Sequence, residues 1–390
     1  MNKIAEKIAD MKEADKLVED YLRTYVKVDL NAVENNINEV RKRIDDDVKV
    51  LAVIKADAYG HGAVKVGSFL KDKADYFGVA TLEEAVELRK NNIDTPILIL
   101  GYTSPKQYEQ LVLYDVTATV YNLEMAEKLN ETAGKLNKKA KVHTALETGM
   151  NRIGFKVCSK SIEYVKCISK MDNIILEGMF THFSCADEKD KEYSKMQMNK
   201  YDEFAAALQE NNIDIPLKHM CNSAGIMEFE DHRFDMVRSG IITYGLYPSD
   251  EVNKKSLNLK SALEWKAHVI NISEVPEGCG VSYGKTYITK GTTKIATVSV
   301  GYADGYKRGL SNKGRVLIHG QYASIIGRVC MDQMMVDVTH IDDVKIEDEV
   351  TLIGKDGQNA ITVEEIAEIA GSFNYEFVCG IGKRVMRIYG

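Results

Sequence analysis

The residues best equipped for chemistry begin at Lys55. It closes the apolar run Val48-Lys49-Val50-Leu51-Ala52-Val53-Ile54 and is followed by the small, turn-prone stretch Ala56-Asp57-Ala58-Tyr59-Gly60-His61-Gly62. A run this rich in Val, Ile and Leu has the pattern of a strand buried on both faces. A lysine at the C-terminal end of such a strand projects its amine where strand meets loop, which is where open and barrelled α/β folds keep their chemistry. In a dry, partly apolar mouth a lysine amine loses its charge easily and can serve as a Schiff-base nucleophile. The alternative is a surface lysine whose stem lies along apolar neighbours. His182-Phe183-Ser184-Cys185 has a metal-ligand spacing but no second ligand pair, so no metal is expected there.

Such a lysine needs a scaffold, and the chain supplies a repeating one. From Tyr25 strands and helices alternate. The expected strands are Tyr25–Leu30, Lys49–Lys55, Tyr76–Ala80, Ile97–Leu100, Ala118–Val120, Lys141–Leu146, Ile175–Thr181, Leu217–Met220 and Met236–Arg238, with helices such as Leu30–Ile44, Thr81–Asn91 and Met196–Asn211 between them. Thr81 followed by Glu84 has the form of a helix-capping box. Repeated β–α units of this length predict a parallel (β/α)8 TIM-like barrel over 25–254. Near Ser249-Asp250 the pattern changes to long β-rich runs, among them Leu263–Val275, Val281–Ile288 and Arg315–Ile326, with one helix, Val363–Ala370. This predicts a mostly β C-terminal domain over 255–390. Ile4, Ile8, Met11, Val18 and Leu22 recur at helical spacing, giving a helix over Asn2–Leu22 in an N-terminal extension, residues 1–24.

The bulk properties exclude several classes. A net charge of −7 leaves no basic footprint for nucleic acid. No stretch approaches the 18 or so apolar residues of a membrane span, and the charged first twenty residues do not form a secretory signal. The seven cysteines lack a Cys-x-x-Cys pair and do not suggest a disulfide framework. A cytoplasmic enzyme is expected.

The string Ala52-Val53-Ile54-Lys55-Ala56-Asp57-Ala58-Tyr59-Gly60-His61-Gly62 closely resembles the pyridoxal-phosphate attachment motif of alanine racemases. Further segments resemble the same family, in family order: Thr148 to Gly154 around Arg152, Gly178 to Phe183 with His182, His219 to Ala224, and Val237 to Gly245 around Arg238. In the second half follow Gly280 to Gly284 with Tyr283, Gly301 to Gly305 with Tyr302, Gly327 to Gln333 with Met331, and Asn374-Tyr375-Glu376. Each motif alone is weak, but their joint order is specific and covers nearly everything after Tyr25.

The resemblance implies a racemase that uses pyridoxal 5'-phosphate and works as a homodimer on a small amino acid. Lys55 would hold the cofactor and act as base or acid on one face of the substrate. Tyr283, from the partner subunit, would act on the opposite face. A free phenol titrates near 10, so bringing it to about 7–8 takes roughly 3–4 kcal/mol of preferential phenolate stabilisation. Arg152 and His182 would orient and polarise that phenol, with Arg152 also near the substrate carboxylate. Arg238, supported by His219, would face the pyridine nitrogen. Tyr59, Ser223, Tyr375 and the backbone amides around Gly240 and Ile241 would hold the phosphate, while Tyr302 and Met331 would line the substrate entrance and pocket floor.

Two departures stand out. Many members carry a lysine seven residues before the loop arginine, often carbamylated; here that position is Ala145, and Asn151 stands where glycine is usual. An ordinary side chain or a bound anion is therefore expected to hold Arg152. Serine or a broader range of amino acids is the alternative substrate, because a pocket rejects an extra hydroxyl only weakly. A barrel-type amino-acid decarboxylase would place a carboxylate where Arg238 stands, and a cofactor-carrying barrel would lack the second domain.

Overall fold

The computed structural model describes residues 21–390; of the helix expected over Asn2–Leu22, all but the last two residues lie outside the described residues, and Tyr21 and Leu22 are not helical. The described residues form two compact units, Leu30–Ala262 and a second built from residues 21–29 together with Leu263–Gly390. The first strand, β1 (Thr24–Val28), belongs to the second unit. In the first unit lie β2 (Lys49–Val53), β3 (Tyr76–Val79), β4 (Ile97–Ile99), β5 (Ala118–Val120), β6 (Ala140–Glu147), the short β7 (Phe155–Lys156), β8 (Ile174–Phe180), β9 (Leu217–His219) and β10 (Met236–Ser239).

Eight of these strands run side by side in the order β4-β3-β2-β10-β9-β8-β6-β5. A parallel bridge between Leu98 and Thr117 joins the two ends, so the sheet curls into a barrel. Every residue of β3, β4 and β5 is buried, which is why parallel strands with cover on both faces read as unbroken apolar runs. Helices return the chain between strands. Leu82–Lys90 starts at Thr81, whose hydroxyl accepts the Glu84 N–H while the Glu84 carboxylate reaches back to the Thr81 N–H, the capping box read from sequence. One irregularity interrupts the parallel pairing. Val142 faces Leu176 and His143 faces Gly178, leaving Glu177 as an extra residue on β8. Such a bulge re-aims side chains, and here it brings Glu177 to His143.

The second unit contains β11 (Leu263–Val275), β12 (Gly280–Val281), β13 (Tyr287–Ile288), β14 (Thr293–Val298), β15 (Arg315–Ile318), β16 (Gln321–Ile325), β17 (Met334–Asp337), β18 (Glu349–Asp356), β19 (Asn359–Ile361) and β20 (Met386–Tyr389). Its main sheet has the order β19-β18-β15-β16-β17-β14-β11-β1-β20. Four expectations are corrected. The strand expected to open the barrel pairs instead with β11 and β20, because its cross-strand partners lie there: the Trp265 indole donates to the Thr24 hydroxyl at 2.9 Å, and the Thr24 hydroxyl donates to the Lys266 carbonyl at 2.8 Å. The run Val281–Ile288 is broken by a turn in which Ser282, Gly284 and Lys285 all take positive φ. The run Arg315–Ile326 is a hairpin turned at His319-Gly320, whose φ angles of 51° and 72° suit the twist of tight β-hairpins. A second helix, Asn374–Cys379, follows Val363–Ala370; its six residues are too few to show a helical period.

Candidate active site

The barrel strands end on one face, and the side chains of interest gather there. Lys55 stands just beyond β2 and opens a turn of unusual hand. Ala56, Asp57, Ala58 and Tyr59 have φ between 50° and 54°, a left-handed helical turn made of L-residues without glycine. Each such residue costs about 1–2 kcal/mol, so the four together hold roughly 4–8 kcal/mol of strain. Surrounding contacts must fix it. Ala58 N–H bonds the Ile54 carbonyl at 2.9 Å and Gly60 N–H the Ala56 carbonyl at 3.0 Å. The Asp57 carboxylate accepts the Ala63 N–H at 2.7 Å. Tyr244 packs its ring against Tyr59 (centroids 5.1 Å apart) and against His61 (4.4 Å), and its hydroxyl donates to the Val53 carbonyl at 2.9 Å.

The next strand, β10, sets Arg238 opposite Leu51. Its guanidinium is buried and donates to the Thr181 and Met220 carbonyls at 2.8 and 2.9 Å, to His219 Nδ1 at 2.9 Å and to His182 Nδ1 at 3.2 Å. Among the described residues no carboxylate pairs with it directly. Burial lowers it to about 10, which leaves it charged at neutral pH. An arginine has no acceptor, so His219 Nδ1 must accept. His219 then carries its proton on Nε2 and donates to His143 Nδ1 at 2.8 Å. His143 in turn donates from Nε2 to Glu177 at 3.2 Å. The chain of bonds thus has one direction, from Arg238 through two imidazoles to Glu177. Burial, reinforced at His219 by the charge of Arg238, pulls the two imidazoles below their usual range and keeps them neutral. The hydrogen bond from His143 keeps Glu177 ionised against burial. Phe180 stacks on His219 with centroids 4.9 Å apart and lies under Arg238.

His182 follows β8. Burial first, then the charges of Arg238, Arg152 and Lys55, hold its imidazole well below the usual value, so one neutral ring sits within reach of three cations. Arg152 lies in the loop after β6. The Glu147 carboxylate accepts the Gly149 and Arg152 N–H groups at 2.5 and 3.1 Å, and the Tyr193 hydroxyl donates to the Gly149 carbonyl at 2.8 Å. Gln197, buried on helix Glu192–Glu210, ties this loop to the next by donating to the Thr148 hydroxyl and the His182 carbonyl. Asn151 has φ 56°, a conformation Asn tolerates better than most residues, which explains how it can stand where glycine is usual. Ala145 is buried beside a cavity of about 20 Å³ that Arg152 and His182 also line. Among the described residues no carboxylate pairs with the Arg152 guanidinium.

A second cluster lies where β9 and β10 end. Asn222 caps the short helix Ser223–Glu228 by accepting the Gly225 N–H at 3.0 Å. The Ser223 hydroxyl accepts the Gly240 N–H at 2.9 Å. A methyl group at Gly240 would lie 3.2 Å from both the Ser223 and Tyr59 hydroxyls, so glycine keeps open a small cradle lined by two hydroxyls and a backbone turn. Ile241, fully buried, starts the one-turn 3-10 helix Ile241–Tyr244.

The remaining expected residues lie in the second unit. Tyr283, on the broken turn between β12 and β13, is 69% exposed and lines an open cleft of about 770 Å³ together with Met331. Tyr302 N–H and Ala303 N–H bond the Cys330 and Met331 carbonyls at 3.0 Å each, which joins the Tyr302 and Met331 loops. Asp304, fully buried, braces that junction through Gly301 N–H, Arg23 and Arg384. Tyr375 lies on helix Asn374–Cys379, its ring 5.6 Å from that of Phe373. Sequence reasoning missed His143, Glu177, Gln197 and Asp304. The signal available for the first two was a polar residue inside an otherwise apolar parallel strand.

A parallel barrel with a lysine and converging cations at its strand ends, followed in the same chain by an antiparallel β unit, defines a two-domain barrel enzyme. Residues 28–248 match the family described as alanine racemase, N-terminal domain, and residues 262–389 match alanine racemase, C-terminal domain. The chain therefore belongs to the alanine racemase family and is an isomerase. It is 46% identical to an alanine racemase of Methanococcus maripaludis over 94% of this chain and 98% of the relative. It is 48% identical to one of Clostridium perfringens over 94% and 95% of the two chains. The solved structure of alanine racemase from Clostridium difficile 630 superposes with a TM-score of 0.91 at 45% identity, covering 95% and 96% of the two chains. No helix among the described residues is long and apolar enough to cross a membrane.

Proposed function

We propose that this protein interconverts L-alanine and D-alanine with pyridoxal 5'-phosphate, using Lys55 and the partner subunit's Tyr283 as proton carriers on opposite faces of the substrate. The observation that carries this reading is the juxtaposition on adjacent strands of an amine at the end of β2 and a charged Arg238 that, among the described residues, pairs with no carboxylate. The residues present fit the cofactor: the Tyr59–Ser223–Gly240 cradle suits a phosphate, and Arg238 suits an unprotonated ring nitrogen. Pyridoxal phosphate, when bound, supplies the electron sink that makes an α-proton removable.

Everything else falls to the chain. Arg238 cannot surrender a proton, so it leaves the ring nitrogen unprotonated and limits charge dispersal, which favours return of the proton over side reactions. Its two terminal nitrogens donate to carbonyls and imidazoles, which fixes the orientation of the guanidinium. Among the described residues no carboxylate pairs with the Arg152 guanidinium, which suits the substrate carboxylate. With neutral His182 it also orients and polarises the phenol that Tyr283 presents. Tyr375 adds a hydroxyl to the phosphate, Ile241 a backbone amide, and Tyr302 and Met331 form the entrance and pocket floor. The exposure of Tyr283 beside an open cleft supports a homodimer in which each subunit completes the other's site. Ala145 leaves no lysine to carbamylate, and the Glu147 carboxylate steadies the Arg152 loop instead. D-alanine made in the cytoplasm would supply cell-wall peptidoglycan.

The test is incubation with L-alanine, L-serine and L-lysine in heavy water. Loss of chirality with α-deuterium incorporation, fastest for alanine, is expected. Borohydride should fix the cofactor on Lys55, and Tyr283→Phe should lower turnover by at least about 100-fold, the scale of one general acid–base group. Labelling at another residue, or full turnover in that variant, would overturn the assignment. Carbon dioxide release would point to a decarboxylase.

A further inference from the structure

We propose that Glu84 is a positioning residue for Lys55, acting through the peptide of Ala56. This rests on the reading of Lys55 as the reactive amine. Glu84 lies one β–α unit downstream, in the first turn of helix Leu82–Lys90. A capping box requires only that its carboxylate reach the Thr81 N–H. Here the carboxylate does more. Its Oε1 accepts the Ala56 N–H at 2.7 Å, while Oε2 accepts the Ala80 N–H at 2.7 Å and the Thr81 N–H at 3.4 Å. One side chain therefore ties the residue after Lys55, at the end of β2, to the end of β3.

The position of that tie is informative. Ala56 is the first of the four left-handed residues, so its N–H is the first donor of the strained turn. Ala56 is itself exposed, so burial does little to hold it in place. Without Glu84 the start of the turn would rest on backbone bonds that an ordinary right-handed or extended conformation could exchange for water. Both carboxylate oxygens are occupied by backbone donors. A glutamine could serve only one strand and would turn its own NH2 group against the donor of the other. The geometry thus calls for a carboxylate at this position, whereas helix capping alone would tolerate glutamine.

The experiment compares Glu84→Gln, Glu84→Asp and Thr81→Ala in the full chain, by amide hydrogen exchange and by racemisation kinetics on the same preparations. In Glu84→Gln, exchange over residues 56–62 should accelerate about tenfold or more, as expected for losing a bond to a charged acceptor. Turnover should fall with KM little changed, since the amine is displaced rather than the substrate contacts. Thr81→Ala, which removes only the cap, should leave exchange over 56–62 at the wild-type rate. Adding Ala56→Gly to Glu84→Gln should restore part of both properties, because glycine adopts the left-handed conformation without strain. Glu84→Asp keeps the charge but withdraws the oxygens, and serves if the glutamine variant does not fold. Wild-type exchange over 56–62 in both Glu84 variants, or equal acceleration by Thr81→Ala, would overturn the proposal. If the wild type fails to racemise alanine, the functional reading falls, while the exchange pattern still decides whether Glu84 holds the turn.

Discussion

Arg238 keeps a full positive charge inside the barrel, and the nearest negative group along its hydrogen bonds is Glu177, two imidazoles away. Burying a charge is unfavourable unless its donors are met. Two carbonyls and the imidazoles of His182 and His219 accept from it, and the relay beyond His219 keeps a carboxylate away from the ring that Arg238 is proposed to face. Gly178 makes the relay possible. A methyl group there would lie 2.5 Å from the His143 ring, so Gly178→Ala must push that imidazole aside. We expect the variant to lose about 1–3 kcal/mol of stability in urea unfolding, in line with overpacking a filled site, and to bind pyridoxal phosphate more weakly. Wild-type stability would mean that the ring has room to move. The neutral imidazoles also set a pH dependence. His143 and His219 are fully buried, and their folded-state values lie below the ordinary one. Below about pH 6.5 the unfolded chain therefore takes up protons that the folded chain refuses. Stability should fall with acid through this window and stay level above it, with a slope of up to about 1.4 kcal/mol per pH unit for each ring. Urea unfolding at pH 7.5, 6.5 and 5.5 checks the sign; equal stability at all three would show that the rings are protonated when folded.

At the level of elements, the barrel was legible because parallel strands buried on both faces stand out as apolar runs, and because capping signals such as Thr81–Glu84 are local. The left-handed turn after Lys55 was not. Nothing in Ala-Asp-Ala-Tyr favours positive φ, and the groups that enforce it, Glu84 and Tyr244, lie about 28 and 190 residues away. The same limit applies to β1. Thr-Tyr-Val-Lys-Val reads as a strand in any context, and only distant partners such as Trp265 decide which sheet receives it. Arg152, His182, Arg238 and Lys55 were legible as candidates through motif order. The directed path to Glu177 was not, since it depends on a one-residue bulge between β6 and β8 that no strand pattern displays.

For the whole molecule, the place of β1 has a consequence for how the chain can be divided. The second unit is discontinuous: β1 lies between β11 and β20, so a fragment 263–390 would lack an interior strand of its main sheet. It would also lose the Arg23 bond to buried Asp304 and the Thr24 partner of the Trp265 indole. Residues 263–267 of β11 and the four-residue β20 would lose the strand that pairs them, and unpaired strand edges are a recognised route to aggregation. We expect 263–390 expressed alone to be insoluble or unfolded. The register offers a repair. β1 is antiparallel to β11, with Val28 opposite Leu263, so residues 21–29 can be joined to Ala262 through a two-residue Asn-Gly loop of the kind that closes tight hairpins. That rejoined fragment should be soluble and unfold cooperatively in urea, and Val26→Pro within it should undo the gain by removing a ladder donor from the middle of a strand paired on both sides. A cooperative transition from 263–390 without β1 would show instead that the β sheet needs no contribution from the N-terminal segment.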